Sequence, residues 1–326
     1  GEKRSMKPAT LISLILILVV LIAPKAEADS DEASQEQKAV LITGASTGLG
    51  RAMAELMASN GHFVYAGARK DKDIAELNAI ENIQAVRLDV TKQEDIDAAV
   101  KTITEAGRGL YGLVNNAGVA VIAPLVEVDE EDFNFQMDVN LYGPYRVTKA
   151  FAPLIIESNG RITTTGSISG ILSGTLFGPY SMSKHAMEAF TDSLANEMER
   201  FDVKVSVIEP GNYQSDIGKN IARRMKARGQ TIEGSLYKED LERMMGFVNS
   251  EEPMGGDPLE VAQAALQALF DENPKRRYMV VPNERQAQIT VAKAMEEMVQ
   301  LNQGQKYSYT REQLIEMLDA AMAANP

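Results

Sequence analysis

The chain contains no cysteine and no tryptophan, and only two histidines, His62 and His185, among 326 residues. Without cysteine there is no thiol nucleophile, no disulfide and no thiolate metal site. Two histidines are too few for a histidine-built zinc centre and leave little for a Ser-His-Asp hydrolase, so no metal is expected. Positive charge is also scarce: 33 Lys and Arg against 46 Asp and Glu give a net charge of -13. That is the wrong sign for a protein that grips nucleic acid through its phosphates, and no nucleic-acid partner is expected. The remaining chemistry must rest on Tyr, Lys, Ser, Asn and carboxylates. What is present is ordinary for a folded chain, with 44% hydrophobic and 24% charged residues, enough for an ample core.

One segment stands apart. Residues 9–23, ATLISLILILVVLIA, form an uncharged apolar run preceded by Lys3, Arg4 and Lys7 and followed by PKAEADS. This is the layout of a signal peptide, with a small-residue cleavage site ending at Ala28. The run falls short of the roughly 20 residues that span a bilayer comfortably, although a thinned membrane holds a shorter anchor. Residues 1–28 are therefore read as a signal peptide or membrane anchor, and the acidic, polar residues 29–37 as a linker. Basic residues before the run and acidic ones after it send the remainder across the membrane. Membrane association through residues 9–23 is expected, with export to a periplasm after cleavage as the alternative.

From Lys38 onward, short apolar runs rich in β-branched residues alternate with amphipathic helical patterns, the order of parallel β-α-β units. Strands are predicted at 39–43, 62–67, 83–89, 112–117, 160–167, 203–210 and 277–282. Helices fill the gaps, including a long one over about 131–157. The expected fold is α/β, a single Rossmann-type doubly wound parallel sheet with helices on both faces. It spans residues 38–285 as a dinucleotide-binding catalytic domain, and 286–326 form a helical C-terminal extension.

The first strand runs into TGASTGLG, residues 43–50, which places Gly44, Gly48 and Gly50 where strand becomes helix. Glycines there allow a tight turn and close approach of backbone to a pyrophosphate, and the helix N-terminus offers free amides. Their spacing, G-x-x-x-G-x-G, differs from the common G-x-G-x-x-G fingerprint. Further motifs follow: LDVT at 88–91, NNAG at 115–118, VNLYG at 139–143, GSISG at 166–170, YSMSK at 180–184 and EPGNYQS at 209–215. In this order and spacing the series resembles the short-chain dehydrogenase/reductase family over about 250 residues. Within it, YGLVNNAG, GRITTTGS and VKVSVIEPGNY resemble the branch of retinol, hydroxysteroid and 3-hydroxybutyrate dehydrogenases.

Tyr180 and Lys184 are four apart, and on a helix such residues share one face. Phenol has a reference pKa of about 10, and a neighbouring cation together with the positive nicotinamide favours its ionised form. Tyr180 is read as the general acid/base, with Lys184 lowering its pKa and, as the resemblance implies, holding the nicotinamide ribose. Ser167, 13 residues earlier, would hydrogen-bond the carbonyl or alkoxide oxygen. Asn140 matches the family's fourth catalytic position, which implies a water-mediated relay from Lys184. Read alone, Tyr180 and Lys184 are a solvated helical pair, Ser167 a turn residue and Asn140 a helix-kink hydrogen bonder; the spacings together favour catalysis.

The resemblance extends the cofactor set to Gly44, Ser46, Thr47, Gly48, Leu49, Gly50, Arg69, Asp89, Val90, Asn116, Ala117, Gly118, Tyr180, Lys184, Pro210, Gly211 and Tyr213, with Asn115 also on the adenosine side. Asp89 is expected at the adenine, or else as the cap of the next helix. The second strand ends in Ala66-Gly67-Ala68-Arg69-Lys70 rather than in an acidic residue, which predicts NADP(H) over NAD(H). Asp71 and Asp73 could offset that field. His185 is read as a packed or solvated helix residue. Arg223, Arg224, Lys226 and Arg228 are read as a solvated helical face, with lipid headgroups as the alternative.

After Pro210-Gly211, about 45 residues carry Met225, Tyr237, Met244, Met245 and Phe247, where the resemblance places a substrate lid. Flexible methionines suit a bulky apolar ligand, and packing of the lid on its own domain explains them equally well. The expected activity is hydride transfer between NADP(H) and a secondary alcohol or ketone, lipophilic in the manner of a steroid, retinoid or fatty alcohol. A homodimer or homotetramer is expected. The alternatives are a dehydrogenase of a small hydroxy acid or ketone, a silent dinucleotide-binding regulator, and a structural membrane protein.

Overall fold

A computed structural model describes residues 37–248 and 255–325. The apolar run at 9–23 lies outside the described residues; among these, no helix is long and apolar enough to cross a membrane.

The elements alternate strictly through the first half: β1 (Ala39–Ile42), α1 (Gly48–Ser59), β2 (Phe63–Ala68), α2 (Asp71–Asn78), β3 (Ile83–Arg87), α3 (Gln93–Glu105) and β4 (Gly112–Asn115). Then come α4 (Glu130–Met137), α5 (Gly143–Glu157), β5 (Arg161–Thr165), α6 (Gly178–Met198) and β6 (Lys204–Pro210). α7 (Ile217–Ala227), α8 (Lys238–Val248), α9 (Pro258–Phe270), β7 (Arg277–Val280), α10 (Glu284–Asn302) and α11 (Arg311–Ala324) complete the chain. All seven strands are parallel, in the order β3-β2-β1-β4-β5-β6-β7. This is the doubly wound sheet that the alternation predicted.

Central strands covered on both faces must be apolar on both, and β1 is: Ala39 to Ile42 are all buried. Alternate residues feed two cores. Val40 and Ile42 join Met53, Met57, Val261 and Leu269 beneath α1 and α9. Ala39 and Leu41 join Tyr65, Ile96, Val147 and Phe151 beneath α3 and α5. A smaller cluster of Ile122, Leu176, Ile221 and Leu241, with Phe177, Met225, Tyr237 and Met244 against it, roots α7 and α8 on the domain. Packing on the chain's own body therefore accounts for three of the lid residues singled out in the sequence, whereas Phe247 stays exposed.

Several predicted boundaries move. The strands end before Thr43, Asp89, Asn116 and Ser167, where polar residues turn out of the sheet: Thr43 and Asn116 bond each other, and Asp89 and Ser167 make local turns. The long helix at 131–157 is interrupted: Asp138 to Tyr142 form a π turn between α4 and α5. Such a bulge lets a single side chain leave the helical register, and it centres on Asn140. At the other end, α10 is tied to the domain where Asn212 N donates to Gln286 Oε1, 2.8 Å away. By contrast α11 has no buried residue.

Candidate active site

The strand order reverses between β1 and β4, and loops from the carboxyl ends of β1, β4, β5 and β6 gather on one edge. In an open α/β sheet a ligand crevice lies at such a switch point. Gly44 and Gly48 have φ of +65° and +56°, conformations that side-chain-bearing residues avoid. Gly50 is required by space: a Cβ there would stand 2.3 Å from Gly44 O and 2.4 Å from Asn116 Nδ2. Thr47 caps α1 with no side-chain hydrogen bond, so the first amides of the helix have no cap of their own. The turn is a glycine cradle at a positive helix end, which fits the pyrophosphate of a dinucleotide. Ser46, Thr47, Gly48 and Leu49 border it, with Thr47 exposed.

The NNAG loop closes the cradle from β4. Thr43 Oγ1 accepts from Asn116 N and Ala117 N, both at 2.9 Å. Asn116 Nδ2 donates to Thr43 O and Gly44 O, and its Oδ1 accepts from Thr165 Oγ1. Thr43 is thus a positioning residue that sequence reasoning passed over, visible only as the T of TGAS. Asn115 is not in the crevice: its buried Nδ2 bonds Thr148 Oγ1 of α5 at 2.9 Å. Gly118 leads into Val119, whose N and O both bond the Asn140 side chain.

Arg69 follows β2 with a mostly exposed side chain, its Nη1 3.8 Å from Asp89 Oδ2. Asp89 does not cap α3, whose N-cap is Lys92. Its Oδ1 instead accepts from Thr91 N and Thr91 Oγ1 in a local turn. The expected interference from Asp71 is reduced, because Asp71 is paired with Arg87, whose Nη1 also donates to Arg69 O. Val90 is buried under Gly143.

Ser167 ends the β5 loop, its Oγ accepting from Ser169 N at 3.0 Å. Tyr180 lies in the first turn of α6, and the Ser167 hydroxyl acts on its phenol. Phe177 meets the Tyr180 ring edge-on, with 6.5 Å between centroids. Lys184 is buried one turn on, its Nζ donating to Thr165 O at 2.7 Å and standing 5.6 Å from the Tyr180 ring centre. Burial pushes the lysine down to about 8, opposed by the charge of Glu188. Burial also raises the Tyr180 phenol, opposed by the Ser167 hydrogen bond. In the protein alone Tyr180 is held protonated.

Three further expectations change. Asn140 Nδ2 reaches Val119 O at 3.0 Å and Ser183 Oγ at 3.1 Å, so its side chain is engaged in locking the π turn to the NNAG loop. Pro210 and Gly211 stand at the crevice, where Pro210 O accepts from Ser167 Oγ at 3.5 Å. The Tyr213 side chain turns away and is buried, its hydroxyl 2.6 Å from Glu260 Oε2 of α9. That hydroxyl is engaged with α9 and not free to donate to a cofactor. Arg224 and Arg228 are not a solvated face: both pair with buried Asp132, and Arg228 also with Asp129 and Glu131, latching α7 to the start of α4. His185 Nδ1 bonds Ser181 O within its own helix. Beside the latch, a cavity of about 210 Å³ lined by Ile122, Ile221, Met225 and Ile232 lies under the lid, and neither Ser167 nor Tyr180 lines it.

The family model for short chain dehydrogenases matches residues 38–226. The chain is 40% identical over 264 residues to D-beta-hydroxybutyrate dehydrogenase of Bos taurus mitochondria, covering 74% of this chain and 76% of that one. It is 33% identical over 254 residues to retinol dehydrogenase 7 of Mus musculus, covering 74% and 80%. The fold matches a short chain dehydrogenase/reductase from Burkholderia phymatum, solved in complex with NAD, with TM-score 0.70 at 24% identity over 84% of this chain and 99% of that one. The chain belongs to the short-chain dehydrogenase/reductase family, in the branch of the hydroxybutyrate and retinol dehydrogenases, and is an oxidoreductase of hydroxyl and carbonyl groups that uses a nicotinamide dinucleotide.

Proposed function

We propose that the protein prefers NADP(H) and interconverts a lipophilic secondary alcohol and its ketone, with Ser167, Tyr180 and Lys184 as catalytic residues and Asn140 in support. The observation that carries this reading is the set of two hydroxyls and one buried ammonium beside the glycine cradle. The dinucleotide would lie on the α1 cradle, between Arg69 and Asp89 at one end and Lys184 at the other, and supplies or accepts the hydride. Ser167 donates a hydrogen bond to the substrate oxygen. Tyr180, protonated in the resting protein, gives its proton to that oxygen in the reducing direction and takes one back in the oxidising direction. Lys184 anchors the cofactor ribose and steadies the phenolate.

The intact catalytic set argues against a silent regulator. A small hydroxy acid needs a cation for its carboxylate, and the hydroxybutyrate relatives favour that alternative. Against it, the lid arginines Arg224 and Arg228 are already held by Asp129, Glu131 and Asp132, while the lid base is apolar. Following NADPH absorbance against ketones, aldehydes and keto acids of rising size tests the reading. Turnover confined to small keto acids would overturn the lipophilic assignment, and silence across the panel with tight cofactor binding would favour the regulator.

The NADP(H) preference rests on Arg69, supported by the neutralisation of Asp71 by Arg87. A charge-assisted contact is worth about 1.5–3 kcal/mol, so Arg69→Ala is expected to lose about 10- to 100-fold in kcat/KM for NADPH while NADH changes little. Equal kcat/KM for the two cofactors in the unaltered protein would refute it. Membrane association through residues 9–23 rests on the sequence alone. Fractionation of cells expressing the untagged chain tests it: full-length protein in the membrane pellet supports an anchor, and a soluble product beginning near Asp29 shows cleavage.

A further inference from the structure

Directly below Lys184 lies a buried acidic pair that the reading of the site does not use. Glu188 is one helical turn after Lys184 on α6, and Glu209 is on β6 just before Pro210. The Glu209 side chain is 4% exposed and that of Glu188 15%. Both carboxyl groups stand against the same nitrogen, Arg277 Nε, and each keeps one buried oxygen, Oε1, with no donor.

The surroundings cannot neutralise two charges. Arg277 Nε at the start of β7 is 3.2 Å from Glu188 Oε2 but 3.8 Å from Glu209 Oε1. Its Nη2 is drawn to Asp192 Oδ2, 2.8 Å away on the next turn of α6. Arg276 also faces Asp192, at 3.7 Å. The loop over the pair, residues 166–170, carries no titratable side chain, and a Cβ on Gly170 would stand 2.7 Å from Glu188 Oε1. Two carboxylates at this spacing in a desolvated site do not both ionise. One proton between them supplies the missing donor and leaves a single negative charge beneath Lys184 and beneath the loop that carries Ser167.

We infer that Glu188 and Glu209 share one proton in the working protein, and that this monoanionic pair is a positioning device which keeps buried Lys184 charged and seats the Ser167 loop. Lys184 would otherwise bear its desolvation with only a backbone carbonyl as partner. Consistently, the Glu188 charge opposes the fall of Lys184, and Glu209 is pushed up to about 8 by burial and by Glu188.

Glutamine separates this arrangement from a merely structural one, because its amide replaces the shared proton at nearly constant volume. The infrared carbonyl band of a protonated carboxylic acid is to be followed in the full chain, for the unaltered protein, Glu188→Gln, Glu209→Gln and the double variant. The expected result is a band present at pH 7 and lost as pH rises through about 8, and absent in each single variant, where the remaining carboxylate accepts from the amide. Absence of the band at pH 7 in the unaltered protein, or its survival in either single variant, overturns the shared proton.

Thermal melts of the same proteins give a second measure. The folded pair keeps its proton to about pH 8, whereas an unfolded glutamate releases it near its reference value of about 4.3. Stability contributed by that proton is complete below the lower value and falls as pH rises to the higher one; Glu209→Gln should flatten the fall, and an unchanged slope counts against the pair. The effect on Lys184 rests on its catalytic reading. With any substrate the protein turns over, the double variant, which alone loses the last negative charge, should move the basic limb of kcat down by about one pH unit, while the single variants leave it in place. An unmoved limb in the double variant removes the positioning role. If no substrate is turned over, the functional reading fails and the infrared result still decides the proton.

Discussion

Tyr180→Phe is expected to reduce kcat by about 10³-fold or more, within the range a positioned proton donor supplies. On the proposed mechanism the phenol exchanges a proton with a substrate oxygen held by the Ser167 hydroxyl, which already acts on the phenol. Removing one oxygen leaves the ring and its edge-on contact with Phe177. Neither the glycine cradle nor Lys184 is disturbed, because Nζ is anchored on Thr165 O and not on the phenol. Cofactor affinity, measured by fluorescence titration, should therefore change less than about twofold, and the loss should fall on kcat rather than KM. Retention of more than a few per cent of kcat would remove Tyr180 from the acid/base role. A large loss of cofactor affinity would show instead that the hydroxyl supports the binding site.

The doubly wound sheet and the glycine-rich turn could be anticipated because their causes are local. Ala39 to Ile42 is apolar on both faces, as a central parallel strand must be, and the next eight residues carry three glycines where backbone has to approach backbone. Tyr180 and Lys184 could be paired from helical spacing alone. The remainder depends on meetings between distant residues. Nothing near Tyr213 says that it will find Glu260, nor near Arg228 that it will find Asp129 and Asp132. Asn140 was expected to serve a relay or a kink, and the π turn with its bonds to Val119 shows the kink. Glu188 and Glu209 read as an ordinary helix residue and the start of EPG until β6 and α6 are brought together against Arg277. The sign of the Tyr180 shift was also beyond spacing: burial raises the phenol and outweighs the Ser167 hydrogen bond.

Lys184→Met is expected to be inactive and yet more stable than the unaltered protein at neutral pH. On the proposed role of Lys184 in holding the ribose and steadying the phenolate, activity falls by about 10³-fold. Stability moves the other way. The lysine has been pushed from its ordinary value to about 8 by desolvation, so below that pH the fold carries the cost of a buried ammonium. A shift of this size amounts to roughly 3 kcal/mol at about 1.4 kcal/mol per unit, of which about 1 kcal/mol is returned because Thr165 O loses its donor. The net gain of about 2 kcal/mol should raise Tm by about 3 °C in a chain of this size. The pH dependence supplies an independent sign. Between about 8 and the unfolded value near 10.4 the unfolded chain binds the extra proton, so the stability of the unaltered protein rises with pH across that window. In Lys184→Met the rise should vanish. Melting curves of the two proteins at pH 7, 8.5 and 10 decide the matter: a lower Tm for the variant at pH 7, or parallel pH dependences, would show that Lys184 is held by its surroundings at no cost, and that its burial is not a stability sacrificed for catalysis.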